Sequence, residues 1–248
     1  MKDICIIIPA RYKSSRFPGK PLVKILGKAM IIHVAEIAQK VLNKKDIFIA
    51  TDNNAIEEEV LRHNFNCIRT ENALTGTDRV YLASKNLDYK FIINIQGDEP
   101  LLLSKDIVNC INLKINNPDL IFNGFSYLEE KNDALSLNIP KLVTDNNDTL
   151  LYISRNMIPF YKINGGQQKI KYKKQVCIYG FTKRELALFY NYGKKSYLEN
   201  IEDIEILRFL ELGMKVKMFK CDSRSIAVDV PSDVIKVEEA LTKRDEIL

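Results

Sequence analysis

The first half of the chain alternates short apolar runs with segments in which apolar residues recur at helical spacing. The apolar runs are rich in Ile and Phe and are bounded by turn residues; they cover residues 4–8, 47–50 and 91–95. Runs of this length and composition are typical of strands buried on both faces. The helical patterns between them cover residues 29–41, 54–62 and 77–85. Strands that alternate with helices predict βαβ units and a mostly parallel sheet.

The second half of the chain predicts antiparallel additions to that sheet. Residues 120–128, 141–144, 150–154 and 175–181 have strand-like composition without regular helices between them. A helix is predicted over residues 200–213, and residues 225–241 predict a final strand, turn and helix. Because neither an internal repeat nor a linker interrupts the chain, we expect residues 1–248 to form a single α/β domain.

Composition narrows the class of protein. The 248 residues are 46% hydrophobic and 28% charged with a net charge of +5, which is ordinary for a globular protein. No apolar stretch approaches a membrane span and no signal-peptide cleavage pattern follows the first residues, so a cytoplasmic location is expected.

The five cysteines occur singly, which indicates reduced thiols rather than disulfides or a zinc site. The basic residues within 161–174 flank a Gly-Gly turn and are interpreted as a solvated connection, not as a nucleic-acid surface.

A cationic loop follows the first predicted strand. Residues 9–20 contain two prolines, a glycine and four basic residues, Arg11, Lys13, Arg16 and Lys20. Like charges this close repel one another unless an anion or solvent separates them, so the loop predicts a site for a polyanion. Ligands of parallel sheets bind beyond the carboxyl ends of the strands. We therefore expect this loop and residues 96–100, which follow another predicted strand, to face the same cavity.

Two acidic residues come after predicted strands. Asp98 lies in the turn at residues 96–100, and Asp229 ends the short apolar run before Pro231. Each is either an ordinary turn residue or a metal ligand, and spacing alone does not choose between these interpretations. Carboxylates that hold Mg²⁺ and cations that hold phosphates are the two requirements of nucleotide chemistry.

Other catalytic signatures are absent from the sequence. It contains no G-x-G-x-x-G after a strand, no G-x-x-x-x-G-K-[ST] and no G-x-S-x-G. These absences argue against a dinucleotide-binding domain, a Walker-type ATPase and an α/β-hydrolase. His33 falls in a predicted helix and His63 at the end of another, and both are interpreted as surface or packing residues rather than as general bases.

A set of longer motifs resembles the CMP-Kdo synthetases (3-deoxy-manno-octulosonate cytidylyltransferases). The segments that carry the resemblance are IIIPARYKSSRFPGKPL (6–22), ATD (50–52), TGTDR (75–79), NIQGDEPL (94–101), LYISRNMIPF (151–160), IYGF (178–181), LENIEDIEILRFLELG (198–213) and VDVPSDV (228–234). The resemblance implies a Rossmann-like three-layer nucleotidyltransferase fold. It also implies a Mg²⁺-dependent, cytoplasmic and usually homodimeric enzyme that couples CTP to an eight-carbon sugar acid with release of pyrophosphate.

The resemblance assigns roles residue by residue. Nucleotide binding falls on Arg11, Ser15, Arg16, Lys20, Thr75, Gly76 and Gln96. Sugar-acid binding falls on Arg79, Gln96, Arg155, Gln175, Tyr179, Glu199 and Asn200. Asp98 and Asp229 match the metal-binding acids, and with Lys20 they form the expected catalytic set.

Three positions depart from the family pattern, and all three lie on the sugar or loop side. Gln175 stands where the family usually has His, Asn200 follows Glu199 where a Glu-Gln pair is usual, and Ala73 lies near the place of a missing His. Because the phosphate and metal residues are kept, the expected activity is cytidylyl transfer to Kdo or a Kdo-like ulosonic acid. The same chemistry on an amino-substituted or shorter acceptor, and a non-catalytic nucleotide-binding regulator, stay open as alternatives.

Overall fold

The computed structural model describes residues 3–13, 17–129, 131–160, 170–223 and 225–245. Its strands are β1 (Ile4–Ala10), β2 (Lys24–Ile25), β3 (Lys28–Ala29), β4 (Ile47–Thr51), β5 (Asn66–Arg69), β6 (Phe91–Ile95), β7 (Ile121–Tyr127), β8 (Lys141–Thr144), β9 (Leu150–Ser154), β10 (Lys173–Thr182) and β11 (Val216–Lys220). Its α-helices are α1 (Met30–Gln39), α2 (Asn54–Arg62), α3 (Gly76–Ser84), α4 (Ser104–Asn116), α5 (Lys183–Asn191), α6 (Tyr197–Glu202), α7 (Ile206–Glu211) and α8 (Pro231–Asp245). In the part of the chain that is described, no helix has both the length and the apolarity needed to cross a membrane.

Seven strands form the central path of one sheet, in the order β11-β7-β10-β6-β1-β4-β5. Parallel pairing joins β6, β1, β4 and β5, and β11 pairs in parallel with β7. β10 pairs antiparallel with both β6 and β7, so it runs against the other strands of this path. β8 and β9 form an antiparallel extension attached to β10. The predicted mostly parallel sheet with antiparallel additions in the second half is confirmed.

The first apolar run of the sequence is buried on both faces of the sheet. Ile4, Ile6 and Ile8 belong to the hydrophobic cluster that includes α1 and α4. Cys5 and Ile7 belong to the cluster that includes α3 and α5. Successive side chains of a strand point to opposite faces, so a strand covered by helices on both sides needs a continuous apolar run. Helices on both faces of the sheet give the three-layer α/β arrangement.

The last part of the chain differs from the sequence prediction in two places. The helix predicted over residues 200–213 is two helices, because Asp203 has a left-handed backbone with φ 51° that a right-handed helix cannot include. The strand predicted before Pro231 is also wrong. In the described part of that segment the chain is a loop, and the Val228 N–H donates to the Asp98 carbonyl oxygen at 3.0 Å.

The carboxyl ends of β1 and β6 lie side by side and position the two loops that follow them. A Cβ on Gly97 would lie 3.1 Å from the Pro9 carbonyl oxygen and 3.1 Å from Ile31 Cδ1. Glycine at this position therefore lets the turn after β6 pack directly against the end of β1. The cationic loop and the Asp98 turn consequently share one edge of the sheet.

Candidate active site

A cavity of about 720 Å³ opens at this edge of the sheet. The predicted site residues that line it are Arg11, Lys20, Thr75, Gly76, Gln96, Asp98, Arg155, Gln175, Tyr179, Glu199 and Asp229. Ser15 and Arg16 lie outside the described residues. Arg79 and Asn200 are not among the described residues that line the cavity.

Lys20 stands between two carboxylates on the cavity wall. Its Nζ lies 2.7 Å from Asp98 Oδ2 and 3.5 Å from Asp229 Oδ1. The three side chains are largely withdrawn from solvent, with exposed fractions of 17%, 24% and 20% for Lys20, Asp98 and Asp229. Burial lowers the pKa of Lys20, but the two carboxylates outweigh that effect, so the pKa lies above its ordinary value. This lysine therefore keeps its positive charge at neutral pH.

Hydrogen bonds from backbone N–H groups hold the segments that carry the two acidic residues. The Gln96 N–H donates to the Cys177 carbonyl oxygen at 3.0 Å, which ties the turn after β6 to β10. The carboxylate of Asp233 accepts from the N–H groups of Asp229 at 3.0 Å and Val230 at 3.1 Å. A backbone–backbone bond thus ties the turn that carries Asp98, whereas the backbone at Asp229 is held by the Asp233 side chain.

The residues at this point fit a magnesium ion. Asp98 Oδ1 is buried and has no hydrogen-bond partner among the described residues. The described residues contain no cluster of three or more His, Cys, Asp or Glu that could enclose a metal. Mg²⁺ is typically held by one or two carboxylates and completes its shell with water and phosphate oxygens. Two carboxylates beside a cationic loop match that requirement.

Glu99, the neighbour of Asp98, is a buried support residue that sequence reasoning missed. Its carboxylate accepts from the Cys177 N–H at 2.8 Å and from the Ser225 hydroxyl. Burial raises the pKa of Glu99, and the nearby Asp98 charge raises it further. The contacts join the turn after β6, strand β10 and the segment before α8.

The start of α3 carries the next part of the wall. Thr75 caps the helix by accepting from the Asp78 N–H at 3.1 Å. A Cβ on Gly76 would lie 2.8 Å from Gln96 Oε1, so glycine allows the Gln96 amide to lie against the helix. The carboxylate of Glu205 accepts from the N–H groups of Gly76 at 2.9 Å and Thr77 at 2.8 Å. Glu205 lines the cavity, and sequence reasoning missed it.

Two residues with predicted sugar-acid roles are instead buried in ion pairs. Glu199 is 1% exposed, and both of its oxygens accept from Arg208, at 2.6 and 2.7 Å. Arg79 is 0% exposed; its Nη2 donates to Asp52 at 2.8 Å and its Nη1 to Thr70 at 2.5 Å. Their roles toward a sugar acid stay predictions, as does that of the exposed Asn200.

Arg155 lines the cavity with its guanidinium already engaged. Nε donates to the Glu202 carbonyl oxygen at 2.6 Å, Nη1 to that of Leu137 at 3.0 Å and Nη2 to that of Asp203 at 3.0 Å. The arginine thus fixes the turn between α6 and α7.

Arg11 is exposed, and its one described hydrogen bond runs from Nη1 to the Leu74 carbonyl oxygen at 3.4 Å.

An amide cluster forms the wall around Gln175. The register of β10 against β7 shifts between Val176 and Tyr179. The Nδ2 of Asn123 fills that irregularity by donating to the carbonyl oxygens of Val176 and Ile178, at 3.0 Å each. Its Oδ1 must therefore be the acceptor that faces Gln175.

Both amide hydrogens of Gln175 are used within this cluster. Nε2 donates to Asn123 Oδ1 at 2.9 Å and to the Tyr179 hydroxyl at 3.2 Å. A primary amide has two N–H hydrogens, so Oε1 is what the side chain can offer to a ligand. Burial raises the pKa of Tyr179 well above its ordinary value, which keeps the phenol neutral. The wall at this point accepts hydrogen bonds from a ligand and carries no charge of its own.

Comparison with known families gives consistent matches over most of the chain. The sequence model described as cytidylyltransferase matches residues 5–216. A 3-deoxy-manno-octulosonate cytidylyltransferase of Thermodesulfovibrio yellowstonii is 37% identical over 253 residues, covering 97% of this chain and 98% of that protein. An 8-amino-3,8-dideoxy-manno-octulosonate cytidylyltransferase of Shewanella baltica is 36% identical over 248 residues, covering 96% and 98%.

A solved structure shows the same similarity in three dimensions. A CMP:2-keto-3-deoxy-manno-octonic acid synthetase, complexed with CTP, superposes with a TM-score of 0.86 at 31% sequence identity. The alignment covers 98% of this chain and 99% of that one.

Proposed function

The chain belongs to the cytidylyltransferase family, and from this membership we propose that it transfers CMP from CTP to a 2-keto-3-deoxy sugar acid with release of pyrophosphate. The acceptor is Kdo or its 8-amino analogue, the substrates named for the relatives above. The observation that supports the proposal most is the Lys20, Asp98 and Asp229 cluster at the edge of the sheet, beside a cationic loop.

The proposed reaction is a displacement at phosphorus. The anomeric hydroxyl of the acid attacks the α-phosphorus of CTP and gives up its proton to water, a new P–O bond forms, and the bond to the bridging oxygen breaks. The electron pair of that bond leaves with pyrophosphate. Such a transfer requires mainly position and charge from the protein. Arg11 and Lys20 supply positive charge on the cavity wall, and Arg16 is predicted from the sequence to add to it.

We include Mg²⁺ in the proposal, held by Asp98 and Asp229. When bound, such an ion withdraws charge from phosphate oxygens and so makes the phosphorus easier to attack. The support is the buried Asp98 Oδ1 without a described partner and the second carboxylate beside the same lysine. Location in the cytoplasm, homodimerisation, and a role in lipopolysaccharide or capsule synthesis are part of the proposal through the motif resemblance alone.

The experiment that tests this function is an assay for a CMP-sugar ester by mass spectrometry. Protein, CTP and Mg²⁺ are combined with Kdo, with 8-amino-Kdo, or with a shorter ulosonic acid. We expect the CMP ester of at least one of the two eight-carbon acids. A non-catalytic nucleotide-binding regulator, the alternative class, would bind CTP and form no ester with any acid.

The identity of the acceptor gives a separate prediction at Gln175. Its Oε1 accepts but cannot donate, and an ammonium donates a stronger, charge-assisted hydrogen bond than a hydroxyl does. We therefore expect kcat/KM for 8-amino-Kdo to exceed that for Kdo by about tenfold or more, the range that a single polar contact commonly gives. In Gln175→His, which can carry a positive charge near neutral pH, that preference should shrink or reverse.

The control for this comparison is Gln39→His, the same exchange at an exposed position on α1. It should leave both values of kcat/KM unchanged. If the wild-type protein uses Kdo with about 10⁴ M⁻¹s⁻¹ or better, within the usual enzyme range, and neither acceptor responds to Gln175→His, the altered-acceptor prediction is wrong.

A further inference from the structure

One ammonium group serves both acidic residues of the proposed metal site. Lys20 Nζ lies 2.7 Å from Asp98 Oδ2 and 3.5 Å from Asp229 Oδ1, and the lysine side chain is only 17% exposed. The cluster of one cation and two anions therefore has a net charge of −1. The lysine already neutralises part of the negative charge of Asp98 and Asp229 that a divalent cation would neutralise.

We propose that Lys20 is an internal counter-ion that holds the two carboxylates until a divalent cation replaces it. In this exchange the ammonium leaves Asp98 and Asp229 when the metal arrives with the nucleotide, and it then faces the triphosphate. The inference rests on the proposed function in one respect, that Asp98 and Asp229 are metal ligands.

Electrostatic repulsion makes it unfavourable for Lys20 and a divalent cation to bind the two carboxylates at the same time. An ammonium and a divalent cation that share the same two carboxylates repel each other at short range. Asp98 Oδ2 is already engaged at hydrogen-bond distance by Lys20, whereas Oδ1 is buried without a described partner. A metal that uses both acids must therefore either tolerate the ammonium beside it or displace it, and displacement is the less costly outcome.

The local chain geometry allows the lysine to move. Lys20 begins a short 3₁₀ turn, Lys20–Leu22, directly after Gly19, whose φ is 70°. Its ammonium sits on a flexible four-carbon stem with rotatable bonds, so Nζ can be redirected while the backbone stays in place. The same loop contributes Arg11 and Lys13 to the cavity wall, which is where a triphosphate would draw the ammonium.

The exchange predicts that metal and nucleotide bind cooperatively. Without nucleotide, a cation must compete with Lys20 for the carboxylates and binds weakly. With CTP, the phosphates provide both extra metal ligands and a new partner for the ammonium. Removing the positive charge of Lys20 should therefore strengthen binding of the metal alone.

The test is the affinity for Mn²⁺, measured by electron paramagnetic resonance without nucleotide. Mn²⁺ serves as the probe because it takes the same oxygen ligands as Mg²⁺. In Lys20→Met and Lys20→Gln we expect Mn²⁺ to bind at least about tenfold more tightly than in the wild type, since loss of one nearby unit charge shifts affinity by a decade or more in a partly hydrated site. Circular dichroism checks that each variant is folded, and the Gln variant carries the test if the Met variant is not.

The matched control is Lys24→Met, which removes an ammonium that pairs with Glu59 at 2.9 Å and does not line the described cavity. Its Mn²⁺ affinity should equal that of the wild type, and adding Asp98→Asn to Lys20→Met should abolish the gain. Equal or weaker Mn²⁺ binding in both Lys20 variants overturns the exchange and leaves the metal site standing. If no protein binds Mn²⁺, even with CTP, the exchange and the metal part of the proposed function are both wrong.

Discussion

Asp98→Asn should lower kcat for cytidylyl transfer at least about a hundredfold, the loss typical of removing one pre-organised charge from an active site. Asn has nearly the same shape as Asp, but it removes the negative charge that faces Lys20 at 2.7 Å and one of the two carboxylates proposed to hold Mg²⁺. The backbone of residue 98 is still held by the donation from Val228 N–H at 3.0 Å, so the fold should survive. The measurement is kcat at saturating CTP, acid and Mg²⁺, with urea unfolding as a check of stability.

Asp222→Asn is the matched control for this variant. Asp222 also pairs with a lysine, Lys105, at 2.9 Å, but it is exposed and does not line the described cavity. Its kcat should equal that of the wild type. Near-normal turnover of Asp98→Asn at saturating Mg²⁺ would remove Asp98 from the mechanism.

Arg208→Met should destabilise the protein by about 3–5 kcal/mol, the usual cost of removing one partner from a buried ion pair. Arg208 is 0% exposed and lies between two buried carboxylates. Nε and Nη2 donate to Glu199, Nη1 donates to Asp78 at 2.9 Å, and the guanidinium stacks on the Phe189 ring with 3.7 Å to its centroid. Methionine fills similar space but leaves both carboxylates without their cation.

The free energy of unfolding in urea at neutral pH measures this loss. Arg62→Met is the control, because Arg62 pairs with Glu59 at 2.5 Å but its side chain is 68% exposed. An ion pair whose cation is this exposed contributes only about 0–1 kcal/mol, and Glu59 keeps its other partner, Lys24, at 2.9 Å, so this variant should unfold close to the wild type. The same urea midpoint for both variants would contradict a stabilising role of the buried network.

The helices and strands that carry strong local signals could be predicted from the sequence. The run at residues 4–8 is apolar at every position because helices cover both faces of β1. The bounds of α2 were predictable as well, since the Asn53 side chain caps it by accepting from the N–H groups of Ala55 and Ile56. The cationic loop and Asp98 could be placed at one edge because parallel strands end there.

The parts of the site that were missed depend on contacts between distant segments. Asn123 reaches the carbonyl oxygen of Val176 across 53 positions of sequence, at an irregularity of β10 that has no local signal. Arg208 and Glu205 lie on a segment with helical spacing, where charged residues ordinarily indicate a solvated face. The partners of both residues, and the burial of Arg208, become visible only when α3 packs beside α7.

The break between α6 and α7 was missed for a similar reason. Asp203 interrupts an apolar pattern that continues through it, and aspartate adopts the left-handed conformation only occasionally. The turn is instead fixed by Arg155, a residue distant in sequence, which donates to the carbonyl oxygens of Glu202 and Asp203. Long-range hydrogen bonds therefore decide where this helix ends.

Pyrophosphate release is the measurement that most directly tests assignment of the protein as a CTP-dependent transferase of sugar acids. Wild-type protein is incubated with Mg²⁺, a 2-keto-3-deoxy sugar acid and either CTP, ATP or GTP, and each reaction is repeated without the acid. We expect release that requires the acid and is at least about tenfold faster with CTP than with either purine nucleotide, a ratio within reach of one recognition pocket. Equal release from ATP or GTP, or no release from CTP with any eight-carbon acid, would contradict the assignment.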